Sequence, residues 1–143
     1  MFSLTDLDLD NAPVIAPVQE GTYRVRIVEL AIFDQREPKT GRYMTCSLDV
    51  ADVPTAETVR HFISMLPDSG TSEKDAVRSK SRIKQFFDKF GLPYNLQPVQ
   101  GEGKASFPEA VGREAIVLLG LKPAQNGGEE NNIKSLNPPT PAA

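Results

Sequence analysis

Only one stretch of this chain carries a helical period, and it stands between three strand patterns and two. From Ser72 to Phe90, the residues Ala76, Val77, Ile83, Phe86, Phe87 and Phe90 recur at helical spacing and form one apolar stripe. Ser72 followed by Asp75 fits a capping box with Asp in place of Glu, and Gly91 and Pro93 supply a stop. Upstream, Thr22 to Phe33 is rich in Val, Ile and Tyr, with Arg24 and Arg26 alternating with Val25 and Ile27, the pattern of a long strand. A turn-rich connection, Asp34 to Gly41, leads to a second strand from Arg42 to Val50. There Met44, Cys46, Leu48 and Val50 share one face, and Tyr43, Thr45, Ser47 and Asp49 the other. A third strand, Glu57 to Leu66, sets Val59, His61, Ile63 and Met65 against Thr58, Arg60, Phe62 and Ser64. Beyond the helix, residues 93–110 read as a loop. Val111 to Lys122 reads as a fourth strand, Asn126-Gly127 as a hairpin turn, and Asn132 to Leu136 as a short fifth strand.

Three strands, one helix and two strands is the order of an OB-fold, a five-stranded Greek-key barrel with an α-helix between strands 3 and 4. The expected class is therefore mainly β with one helix. Residues 20–137 form the domain, preceded by an irregular acidic segment, 1–19, which contains Pro13 and Pro17. Residues 138–143 are expected to be a disordered tail.

Composition narrows the function. A length of 143 residues suits a single domain, and no apolar run approaches the ~20 residues that span a membrane. The acidic start, MFSLTDLDLD, lacks the basic residues of an export signal, and a single Cys cannot form an internal disulfide, so a cytoplasmic location is expected. One His and one Cys leave little for a zinc site, and no acid–base constellation appears, so neither an enzyme, a cofactor nor a metal is expected. Gly101-Glu102-Gly103-Lys104 echoes a phosphate loop. However, Ala105 stands where a Ser or Thr would hold magnesium, and Pro98 where a Gly is required. The net charge is −3, unevenly spread. Residues 1–20 hold Asp6, Asp8, Asp10 and Glu20 and no base, whereas Lys74, Arg78, Lys80, Arg82, Lys84 and Lys89 make the helical segment positive.

Four local patterns then point to a family. They are Glu20-Gly21-Thr22-Tyr23, Lys39-Thr40-Gly41-Arg42-Tyr43, Ile83-Lys84-Gln85-Phe86-Phe87 running on to Phe90-Gly91-Leu92-Pro93, and Asn126-Gly127-Gly128-Glu129 leading into Asn132-Ile133-Lys134, with Pro138 beyond. In their order and spacing the chain resembles the phage-encoded OB-fold single-stranded-DNA-binding proteins over about residues 20–139. The resemblance implies a non-catalytic protein that coats strands exposed in phage DNA replication or recombination, in the bacterial host cytoplasm. Single-stranded DNA would be its partner, with replication or recombination proteins beside it, as a monomer or weak homo-oligomer and with no membrane. Cellular single-strand binders often end in an acidic tail, and this chain departs from them in its neutral last segment.

Sequence-tolerant binding of single strands needs exposed aromatics for stacking and a positive groove for phosphates. With the even positions of strand 2 inside, Tyr43 and Thr45 face out, joined by Arg60 and Phe62 on strand 3. Arg36, Lys39 and Arg42 sit at the first connection, Lys122 and Lys134 flank the last hairpin, and Lys104 lies in the loop before strand 4. Each has a plainer alternative: Tyr43 as a half-buried sheet residue, or Phe62 as core with His61 outward, since a slip of one residue exchanges them. The leucine–acid alternation from Phe2 to Asp10 suits a frayed terminus, a nucleic-acid mimic or a partner-docking segment. An OB-fold module that binds only protein, or a binder of RNA or mixed single strands, are the competing functions.

Overall fold

The computed structural model describes residues 3–34, 42–65 and 73–137. Its longest strand, β1 (Gly21–Asp34), organises the rest. Along one edge it pairs from Val25 to Asp34 with β2 (Arg42–Val50), which in turn pairs with β3 (Val59–Met65), all antiparallel. Its other edge is shared. The first half, Gly21 to Arg26, pairs with β6 (Glu114–Pro123), and the second half, Ala31 to Phe33, pairs with β5 (Lys104–Ser106). β5 carries the short edge strand β4 (Val99–Gly101), and β6 turns back into β7 (Glu129–Ser135).

One irregularity makes this division possible. Val28 is an extra residue in β1: Ile27 pairs with Leu48, and Glu29 with the next residue back, Ser47. Such a bulge bends and twists the strand. Here it also inverts the side-chain phase. Val25 and Ile27 are buried before it, Leu30 after it, and Val28 and Glu29 both face out.

The helix α1 (Glu73–Phe90) lies between β3 and β4 in the chain and packs on β3. Phe86, Phe87 and Phe90 bury its lower half, and Ser79 enters the interface because its hydroxyl donates to the Ser64 carbonyl at 2.7 Å. Val77, counted in the apolar stripe by spacing, is 60% exposed. The helix stops as its sequence indicates. Gly91 adopts φ +67°, and the Leu92 amide donates to Phe87 O while the Gly91 amide donates to Asp88 O, a Schellman motif.

This is a mainly β, OB-like fold with one helix between the third and fourth strands. The strand path β3–β2–β1–β6–β7 carries the expected five strands. β4 and β5 raise the number among the described residues to seven and occupy what reads as loop in the sequence. Strand boundaries also move: β3 begins at Val59 rather than Glu57. Val111 to Arg113 is a turn at Gly112 (φ +93°), held to Ile27 by two backbone hydrogen bonds, and β7 begins earlier, at Glu129. Asn126-Gly127 does lie in the β6–β7 hairpin, in a loop closed by the Ala124 amide on Gly128 O. The capping residue Ser72, the first connection and the C-terminal tail lie outside the described residues.

The sheet is open at one seam. β3 and β7 lie side by side, yet no ladder joins them among the described residues. The chain entering β1 bridges the gap instead. The Ala16 amide donates to Thr55 O and the Glu57 amide donates to Ala16 O, while buried Asn131 of β7 holds Val18 through both its amide groups. The Asn131 Nδ2 also donates to Gly120 O at 3.0 Å, so this polar side chain is fully used. The nominally irregular leader therefore belongs to the body from Ala16 onward. No helix among the described residues is long and apolar enough to cross a membrane.

Candidate nucleic-acid interface

The pleat decides which side chains reach the outer face of β1–β2–β3. On β2, Met44, Cys46, Leu48 and Val50 are all buried, which turns Tyr43 and Thr45 outward. On β3, Val59 and Ile63 are buried, and Phe62 is 59% exposed. His61 points to the inner side, where its ring stacks on Phe86 of α1 at 5.6 Å. Burial there lowers the His61 pKa below its ordinary value. Cys46, also inside, is pushed up to about 12 by burial and remains an inert thiol.

Cross-strand pairing assembles three rings. Phe33 lies opposite Tyr43, and Thr45 opposite Phe62, so Tyr43 and Phe62 are diagonal neighbours on one face. Phe33 and Tyr43 stack at 5.4 Å between centroids, and Tyr43 and Phe62 at 5.0 Å. Lys104 lies opposite Phe33 on β5. Its Nζ is 5.4 Å from the Phe33 ring centroid and 3.3 Å from Glu29 Oε1. The row Lys104–Phe33–Tyr43–Phe62 thus crosses four strands.

At its far end Phe62 opens onto a groove of about 770 Å³ between β3 and the β6–β7 hairpin. Arg60 and Lys122 line it with Glu57 and Glu130, and Asn126 and Gln125 add amide groups. Lys122 is 3.4 Å from Glu130, whereas Arg60 makes no ion pair among the described residues. Two cations against two carboxylates leave this groove balanced, less positive than the sequence reading expects.

The structure therefore gathers Tyr43, Thr45, Phe62, Arg60, Lys104 and Lys122 along one continuous surface. It does not bring Arg42 or Lys134 there. Arg42 shares the inner phase of Met44, pairs with Asp34 at 3.3 Å and lines a neighbouring cleft beside Ile32 and Phe107, which Lys104 also borders. Lys134 is ion-paired with Glu20 at the start of β1. Arg36 and Lys39 lie outside the described residues. Phe33 is the residue the sequence reading missed; its signal is the register with Tyr43, which appears only once the bulge is placed. No group of three metal-ligating side chains occurs among the described residues. Comparison with protein-family models, with curated proteins and with solved structures gives no match.

Proposed function

We propose that the outer face of β1–β2–β3 binds single-stranded DNA with little sequence preference, and that the protein acts as a non-catalytic coat in phage DNA replication or recombination. The observation that carries this reading is the stacked row of Phe33, Tyr43 and Phe62, whose first two rings are half-buried and whose last, Phe62, is exposed at an open groove. Phe62 packs on Tyr43 through one ring face and leaves more than half of its surface to solvent. That open surface suits a platform for a base, because stacking on aromatics contributes ~1–3 kcal/mol per base whatever the base.

The geometry gives the row a polarity. The rings stand nearly parallel, at 17° and 24°, so each inner face covers its neighbour. Lys104 lies over the outer Phe33 ring, and Phe62 borders the groove. A base stacks first on Phe62, with Asn126 and Gln125 in reach of its edge and Arg60 and Lys122 in reach of the flanking phosphates. The strand then passes over Tyr43 toward Lys104.

The balanced charge of the groove favours a second reading, a protein-binding OB module with no useful affinity for nucleic acid. Fluorescence anisotropy with labelled oligo-dT, at low and moderate salt and with a matched duplex and oligo-rU beside it, separates these. Salt-sensitive binding that prefers dT supports the leading proposal, and equal binding of rU extends it to RNA. Absence of binding at low salt overturns it and leaves the protein-binding module.

A further inference from the structure

On the opposite side of the β1–β2–β3 sheet from the aromatic row lies a second concavity. Ile32 and Met44 of the sheet and Ile83 and Phe87 of α1 form an open apolar groove of about 490 Å³. Lys80 and Lys84, one turn apart on α1, stand with these residues at its rim. Lys84 is held there by Asp88 at 2.9 Å, and Lys80 makes no ion pair among the described residues. The groove thus asks for an occupant that is apolar along its middle and acidic at its edges.

The chain carries such a segment. Leu7 and Leu9 are 49% and 57% exposed, and Asp8 and Asp10 alternate with them. No Lys or Arg occurs before Arg24, so these acids meet no cationic side chain in the leader, and the Asp8 carboxylate there accepts from the uncharged Asn11 amide. Within one copy the two complementary surfaces stand apart. The leader joins the body at Ala16, beside the entry to β3, whereas the groove lies near the exit of β3, and the leucines face solvent.

We propose that the acid–leucine segment of one copy docks in the lysine-rimmed groove of a second copy. The leucines enter the apolar floor, and Asp8 and Asp10 meet Lys80 and Lys84. A contact of this kind, between unlike surfaces, either closes into a ring or propagates from copy to copy. It also leaves the aromatic row of both copies free.

Sedimentation of the full-length protein across a concentration series tests this. Self-association that weakens with salt is expected. Leu7→Asp with Leu9→Asp should weaken it at least about tenfold, and Lys80→Glu should do likewise. All three positions are exposed, and unchanged melting will show that the variants fold. The decisive sample mixes the two variants: the Leu7/Leu9 variant keeps an intact groove and Lys80→Glu an intact segment, so the mixture should associate where neither does alone. Phe62→Ala should leave association unchanged, which separates this inference from the proposed DNA site. A chain that stays monomeric at every concentration overturns the proposal, as would self-association indifferent to both variants or a mixture that fails to associate.

Discussion

Phe62 combines exposure with a single close ring partner, and this makes it the most informative residue to change. Truncation to Ala removes the stack on Tyr43, worth ~0.5–1.5 kcal/mol, so only a small fall in Tm is expected. If the face binds single strands, the same change should weaken oligo-dT binding by roughly 5- to 150-fold, read by anisotropy. His61, its neighbour on the opposite face, tests the inner side. Burial holds its folded pKa below the unfolded value of 6.5, so the unfolded chain takes up the proton first as pH falls. Stability from the neutral ring is therefore complete above pH ~6.5 and declines as pH falls below it. Thermal melts across this window should show the decline in the native protein, and His61→Phe should remove that part of it. Both orientations were legible in the sequence, because Val59 and Ile63 demand the core and alternation does the rest. Phe33 was not. Counting by twos from Val25 and Ile27 puts Phe33 inside, and only the extra residue Val28 carries it to the surface beside Tyr43.

Among the elements, α1 and β2 were legible almost to their boundaries because their periods are strong and their ends are marked. Gly91 shows why the helix ends where it does. Added at this position, a Cβ would meet nothing closer than Arg113 Nη1 at 3.9 Å, so there is space for it. The cost of Gly91→Ala is then purely the left-handed backbone, ~1–2 kcal/mol, and should appear as a Tm lower by several degrees with the fold intact. The β4–β5 pair was illegible for the opposite reason. Val99–Gly101 and Lys104–Ser106 are three residues each, and Gly101 and Gly103 mark a turn without indicating a ladder. Their strand character comes from the free edge of β1 beyond the bulge, a tertiary fact. The same pairing sets Lys104 over Phe33, a position that motif reading of Gly101 to Lys104 as an imperfect phosphate loop does not reach.

At the scale of the whole molecule, the net charge of −3 and the paired carboxylates on the proposed face set how the proposed affinity responds to salt. Single-strand binding loses ~0.7 in log K per log salt for each phosphate neutralised, so Arg60, Lys104 and Lys122 alone give a slope of about −2. A titration against salt checks this value, and charge reversal at Lys122 should make the slope shallower by about one contact. A slope much steeper than that would mean that further cations take part.

The seam between β3 and β7 has a consequence for how the molecule breathes. A barrel closed by a ladder opens there only by losing several backbone bonds together. This one is fastened by a short strap and one asparagine, whose hydrogen bonds can let go without unravelling either strand. The amides of Ala16, Val18 and Glu57 should therefore exchange with deuterium well before those of Met44 or Leu48, in a local event far below global unfolding. Asn131 also lines the groove that the proposed function assigns to the first base, so the fastening and the proposed site share a wall. A bound strand should slow exchange at the strap without touching it. The seam then works as an expansion joint: the part of the shell that yields first, and the part through which an occupied groove stiffens the whole.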